Sequence, residues 1–257
     1  MLKEERLTEL LRLIDEKGTV TVTDLVENMA VSDMTIRRDL SELDAQGRIH
    51  RIHGGAQSVN KFNLAELSHE KKKIIQPDEK KEIAQTALTL INEEGTIFLG
   101  PGTSIELLAQ ALTVENLRII TNSLPVFNIL ENKTQQYEIY LVGGKYRQLT
   151  GAFSGEMANK AIQDIRFSKA FLGTNAIHQD RIMTATMEEG ITQSLALDNS
   201  IQKYLCVDSA KFNREDFYTF YHLSDLTAVI TNNQLVANIE DYKKYTQIIT
   251  KNDIKNQ

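Results

Sequence analysis

A single cysteine in 257 residues excludes any disulfide within the chain. That cysteine, Cys206, sits in the apolar run KYLCVD and reads as a small core residue. No apolar run approaches the ~18 residues that a membrane-spanning helix needs. The opening MLKEERLTEL is charged and amphipathic, unlike a signal peptide, so a cytoplasmic protein is expected. Positive charge is not in excess either. With a net charge of −6, nothing draws the whole surface to nucleic acid or to an anionic membrane, and any basic surface must be local. The five histidines do not pair with cysteine or acids at metal-ligand spacing. GPGTS lacks the GxxxxGK[ST] spacing of a P-loop, and no GxGxxG turn occurs. Neither a metal nor a nucleotide cofactor is implied.

What is present is an ordinary globular composition, 41% hydrophobic and 25% charged, long enough for one large or two smaller domains. Residues 1–56 read as a helical head. Leu7, Leu10, Leu11 and Ile14 fall on one helix face, and Gly18 is a stop. Val22, Leu25, Val26 and Met29 repeat the pattern, with Thr21 or Thr23 as cap. After the turn AVS, Ser32 is an N-cap for a third helix whose apolar stripe is Ile36, Leu40 and Leu43. Helix, short turn, helix is the helix-turn-helix plan. At 100° per residue, Met34, Arg38 and Ser41 point away from the stripe, flanked by Thr35 and Arg37. Arginine there can read guanine edges in a major groove, and serine or threonine can reach phosphate. In RIHRIHGGA, isoleucines alternate with Arg51 and His53 before Gly54-Gly55 turns the chain, as in a two-stranded wing laid along a phosphate backbone. The alternative is a solvated, charged three-helix bundle. Residues 1–56 carry 8 Lys+Arg against 11 Asp+Glu, which favours it, yet the acids concentrate on the first two helices.

VSDMTIRRDLSELDAQGRIHRIHGGA resembles the DNA-binding signature of DeoR-family bacterial transcription regulators. Ser32, Thr35, Arg37, Arg38, Asp39, Leu40, Gly47, His53, Gly54 and Gly55 fall on that pattern. The resemblance implies a recognition helix carrying Thr35, Arg37 and Arg38, and double-stranded operator DNA as partner.

Residues 57–76 read as a linker with a lysine run, Lys71 to Lys73. The resemblance adds that Lys72 and Lys80, eight positions apart, recur as a basic pair. They would bind an anion and link its arrival to the head. Residues 77–257 read as an α/β domain. Strand candidates at 96–100, 117–123, 137–144, 169–177, 203–209, 226–232 and 246–250 alternate with helical stretches, which predicts a mostly parallel sheet covered by helices. Ligands bind such sheets at the carboxyl ends of their strands. Those ends carry Gly102, Thr103 and Ser104; Thr121 and Asn122; Gly143, Gly144 and Arg147; Asp208 and Lys211. Glycine turns, hydroxyls, a carboxylate and cations suit a small polyhydroxylated phosphate.

EKKEIA, GPGTS, TNSLPV, LVGG, GEM and DSAKF are similar to successive blocks of DeoR-family sensor domains, so the likeness covers nearly the whole chain. It implies a fold like ribose-5-phosphate isomerase and a phosphorylated sugar as effector. GPG, GEMANK and RFSKAF look most like the family's lactose phosphotransferase branch in Gram-positive cocci, which implies tagatose 6-phosphate. One departure stands out: Gly100 occupies the place where the family usually has aspartate, removing an acceptor for a sugar hydroxyl. The resulting expectation is a homo-oligomeric repressor, released from DNA by a sugar phosphate. Two other readings stay open. One is a sugar-phosphate isomerase using Glu106, Glu156, Asp208 and Lys211 as acids and bases. The other is a DNA-binding protein without a ligand.

Overall fold

The computed structural model describes residues 3–52, 54–58, 66–91, 95–133, 136–233 and 239–254. The chain divides into two compact units, residues 1–66 and 67–257. The first contains α1 (Lys3–Lys17), β1 (Thr19–Thr21), α2 (Val22–Met29), α3 (Asp33–Ala45), β2 (Ile49–Ile52) and β3 (Gly55–Ser58). Leu10, Leu11 and Ile14 of α1, Leu25 and Met29 of α2, and Ile36, Leu40 and Leu43 of α3 close one core, as their spacing predicts. Of the two threonines offered as cap for α2, Thr21 serves. Its side chain accepts from Asp24 N, and Asp24 reaches back to the Thr21 N–H. Ser32 caps α3 by accepting from Thr35 N. Two points differ from the sequence reading. The wing has three strands, because Thr19–Thr21 pairs with β3, giving the order β1-β3-β2. The head also extends through Gln57 and Ser58, which pair in that sheet.

The second unit begins with α4 (His69–Lys73) and α5 (Pro77–Leu88). Residues 67–76, read as linker, thus belong to the larger unit. Then come β4 (Gly95–Leu99), α6 (Thr103–Ala111), β5 (Leu117–Thr121), α7 (Leu124–Leu130), β6 (Tyr137–Leu141), β7 (Lys145–Arg147), β8 (Ala152–Ser154), α8 (Glu156–Ile162) and β9 (Phe167–Leu172). They are followed by β10 (Ala176–His178), β11 (Arg181–Thr184), α9 (Met187–Asp198), β12 (Ser200–Cys206), β13 (Tyr218–His222), β14 (Ala228–Ile230), α10 (Ile239–Lys243), β15 (Gln247–Ile249) and α11 (Lys251–Ile254). Seven strands form one parallel sheet in the order β15-β14-β12-β9-β4-β5-β6. Alternate residues feed opposite faces. Phe98, Leu205 and Val229 enter one core with α8 and α9. Ile97, Leu99, Tyr204, Cys206, Ala228 and Ile230 enter the other with α5, α6 and α7. Both faces are therefore covered, which is why these strands read as near-continuous apolar runs. Burial pushes the Cys206 thiol up, as expected of an inert core residue.

Strand order reverses at the centre. From β4 the chain moves outward through β5 to β6, then returns to the far side of β4 as β9 and continues to β12, β14 and β15. The carboxyl ends of β4 and β9 therefore flank the switch point, where loops leave in opposite directions and open a crevice. Among the described residues, no helix is long and apolar enough to cross a membrane.

Candidate DNA-reading face and effector site

On α3, Met34 is 81% exposed, and Arg37, Arg38 and Ser41 are exposed, with Thr35 half-buried. The inward stripe turns these side chains to solvent together. Ser32 and Thr35 hydroxyls bond at 2.9 Å beside the helix N-terminus. Arg37 pairs with Asp33 at 2.5 Å, both exposed. Among the described residues Arg38 has no side-chain partner. Arg51 of β2 donates to Ser41 Oγ at 2.8 Å, and its N–H donates to Asp44 at 2.9 Å, so the wing is tied to the end of α3. His53, assigned to this face from the sequence, lies outside the described residues. A feature not read from the sequence holds the face in place. Asp39 is 2% exposed and accepts from Arg6 Nε of α1 at 2.6 Å. The RRDL string thus divides its work: its arginines face out, and its aspartate clamps α3 to α1.

In the larger unit, the strand-end residues separate into two groups. The first surrounds the switch point. α6 starts at Gly102, whose φ of 142° suits glycine, and no side chain caps it. Its first backbone N–H groups and the nearly buried Thr103 and Ser104 therefore meet the crevice uncapped. Lys80 is only 4% exposed. Its ammonium donates to the carbonyls of Lys72, at 2.7 Å, and Ile75, and lies 3.8 Å from Asp208. Burial pushes its pKa down, and Asp208 opposes that. Lys72 Nζ donates to Asn175 Oδ1 at 2.9 Å, and Asn175 donates to Asp216 at 2.9 Å. Lys211 is pushed down to about 8 by burial, against the pull of Asp208, with Lys72, Arg214 and Lys80 also acting on it. The buried Lys80–Asp208 pair and the Lys72–Asn175–Asp216 chain thus place cations, an amide and carboxylates together, where a desolvated anion can be bound.

The second group lies toward the β6 edge. Thr121 Oγ1 accepts from Ser123 N at 3.0 Å. Asn122 Nδ2 donates to Phe153 O at 2.8 Å, pinning β8 to the end of β5. At Gly144, φ is 155°, and an added Cβ would lie 2.7 Å from Ser154 O, so that glycine is needed for chain packing. Gly143 precedes it, with open space at its Cα. Arg147 pairs with the buried Glu189 at 3.1 Å. From the end of β6 to that of β12 is four sheet spacings, roughly 19 Å. One hexose phosphate cannot span from β12 to β6, whereas Thr121 and Asn122, at the end of β5, lie one spacing from the end of β4.

Sequence reasoning missed Asn175, Arg214 and Asp216. Asn175 fell inside a strand read over 169–177, but β9 stops at Leu172 and the crevice loop follows. The GTN triplet after the apolar run carried the signal. Gly100 is also accounted for. An added Cβ there would meet Leu172 Cδ2 at 2.3 Å, so the buried Leu172 fills the place of any side chain. Among the acid/base candidates, Glu106 is engaged by His69 and by Lys73 at 3.3 Å, and Glu156 is exposed on α8.

Comparison with known proteins agrees with this division. A DeoR-like helix-turn-helix domain matches residues 6–62, and a DeoR C terminal sensor domain matches residues 75–233. The chain is 48% identical over 250 residues to the lactose phosphotransferase system repressor of Streptococcus mutans, covering 97% of this chain and 100% of that one. It is 46% identical, with the same coverage, to the protein of that name in Staphylococcus aureus. Among solved structures, ribose 5-phosphate isomerase A from Neisseria gonorrhoeae aligns over 53% of each chain with a TM-score of 0.39 and 11% identity. eIF2B beta from Chaetomium thermophilum aligns over 66% of this chain and 54% of its own, with a TM-score of 0.45 and 14% identity. With both domain signatures present in order and near-full-length relatives, the chain belongs to the DeoR family.

Proposed function

We propose that this chain is a DNA-binding repressor of a lactose phosphotransferase system, released from its operator by a phosphorylated sugar. The observation that carries the reading is the buried Lys80 ammonium, 3.8 Å from Asp208 and bonded to the Lys72 carbonyl, with the Lys72 ammonium on Asn175 just beyond β9. The Thr103 and Ser104 N–H and hydroxyl groups, with Lys80 and Lys211, take the phosphate. Asp208 and Asn175 take sugar hydroxyls, the role Gly100 cannot fill. Thr121, Asn122, Gly143, Gly144 and Arg147 hold the frame. On the head, Arg38 and Arg37 read base edges, while Ser32, Thr35, Ser41, Arg51 and His53 contact phosphates or position the helix. One such helix reads only a few base pairs, so the repressor works as a homo-oligomer on paired half-sites. The names of the relatives fit tagatose 6-phosphate as effector.

A band-shift titration tests this. Tagatose 6-phosphate should release a bound operator fragment, and unphosphorylated tagatose should not. A coupling of ~1–3 kcal/mol would change operator affinity about 5–150-fold. Operator binding that ignores every sugar phosphate refutes the sensor half of the reading, and failure to bind any operator refutes the repressor half.

A further inference from the structure

Helix α4 is five residues long and buries none of them. Ile74 just after it is 79% exposed. No apolar face holds this helix, so its position rests on polar contacts made from two sides. On one side, Lys80 Nζ donates to the carbonyls of Lys72 and Ile75, and Lys72 Nζ donates to Asn175. On the other, the His69 N–H donates to Leu149 O at 2.9 Å, the His69 ring meets Glu106, and Lys73 Nζ lies 3.3 Å from the same carboxylate. Glu106 belongs to the first turn of α6, and its side chain is 5% exposed. In sequence, α4 is the first helix after the head.

The two sides differ in what they must give up. The Lys80 ammonium is assigned to the effector phosphate, and Asn175, the acceptor of Lys72, to a sugar hydroxyl, under the proposed function, on which this inference rests. An anion that takes Lys80 must displace the Lys72 or the Ile75 carbonyl, because the three donors of that ammonium already face those two oxygens and Asp208. The His69–Glu106–Lys73 contacts touch none of these groups. We infer that α4 is a strap in competition with the effector phosphate, and that His69 and Glu106 are positioning residues that set effector affinity by holding the strap seated. Binding at the cluster and seating of α4 then oppose one another, and the opposition is reciprocal. Whatever loosens α4 from the far side must strengthen anion binding at the near side. A purely structural role would give the opposite sign or none.

Calorimetric titration with inorganic phosphate and with tagatose 6-phosphate, paired with hydrogen exchange of the α4 amides, tests this on the full chain. Glu106→Gln and His69→Ala should speed exchange over residues 70–75 and raise affinity for both probes several-fold. His69→Ala alters a helix with no buried residue, so it remains informative if Glu106→Gln unfolds. Faster α4 exchange with unchanged or weaker anion affinity overturns the strap. So does unchanged exchange in both variants. If wild type binds neither probe, or binds them equally well after Lys211→Ala, the effector-site reading fails and takes this inference with it. Loss in Lys211→Ala alongside no gain in Glu106→Gln and His69→Ala keeps the site and removes only the strap.

Discussion

In the head, the arginines of α3 stand in solvent and the buried acid of that helix, Asp39, is matched by Arg6. In the body, cations are drawn inward: Lys80 is 4% exposed and Lys211 half-buried, beside an Asp208 that is 2% exposed. The same kind of charge is thus prepared for two kinds of anion. A DNA backbone is a polyanion, and its affinity comes from many exposed contacts and the counterions they release. A sugar phosphate is one small ion. It must be taken out of water, and only groups already partly desolvated and aimed can hold it specifically. The difference explains how a chain of net charge −6 can bind two anions without a basic surface overall.

The strongest way to break the comparison is to remove one region and ask whether the other notices. Leu40 is fully buried in the head core. Leu40→Ala should cost ~2–5 kcal/mol. A domain of about 60 residues is marginal to begin with, so this is enough to unfold the head under ordinary conditions. Calorimetry should show the head transition lost or moved sharply down, with operator binding abolished. The body's thermal shift with tagatose 6-phosphate should be retained. A body that loses its ligand response in this variant would mean that the two units do not fold independently.

A smaller change separates reading from attraction within the head. Arg38 is exposed and has no side-chain partner among the described residues, as a base-reading group should be. Arg38→Ala should weaken specific operator binding by ~1–3 kcal/mol, about 5–150-fold, and relax preference at one base position. Arg51→Ala should weaken binding to all sequences alike and reduce the salt slope by about one. Competition band shifts at several salt concentrations distinguish the two. Equal effects on specific and random DNA from both variants would erase the assignment.

The fold was legible where one period dominates. The stripes of α1, α2 and α3 and the seven apolar runs of the sheet read directly, because both patterns record which side chains leave water. The third wing strand did not read, since Thr19–Thr21 is too short to show alternation. α4 did not read because a helix held by charges has no apolar stripe. For the site, Asp208 and Lys211 read from the sequence as strand-end chemistry and Lys80 from the resemblance, but their distances from Gly143, Gly144 and Arg147 depend on strand order. Strand order is a long-range property that no local window contains. The Arg6–Asp39 clamp, 33 residues apart, was hidden for the same reason.

Acidity sharpens the contrast further, through Lys211. Its ammonium is charged near neutral pH but titrates near 8, so phosphate affinity should fall as pH rises from 7 to 9. Lys211→Arg keeps its charge and should flatten that profile, while Lys211→Ala should cost about tenfold or more, the scale of a charge-assisted hydrogen bond. Stability moves the other way. The unfolded amine titrates near 10.5, so between 8 and 10.5 the unfolded chain binds more protons and this group's contribution rises with pH. Affinity and stability with opposite pH slopes, both lost in Lys211→Arg, would mark a cation kept buried for ligand binding at a cost to the fold.

The smallest effect is expected at His69, where the sign reverses. Its hydrogen bond to Glu106 holds the ring's pKa above 6.5, against burial and the nearby Lys73, with Glu70 adding to the rise. A group with a raised folded pKa contributes stability that is fully present below its unfolded value and is lost as pH rises through the folded one. The body should therefore soften slightly as pH climbs above 6.5. Chemical denaturation of wild type, His69→Ala and Lys211→Arg across pH 5.5–9 separates the two contributions. His69→Ala should remove only the fall on the acid side of the range, leaving the alkaline rise that Lys211 produces. A wild-type profile without that fall would mean that Glu106 does not hold the His69 ring as an imidazolium, and α4 would then depend on its lysine contacts and the His69 N–H bond to Leu149.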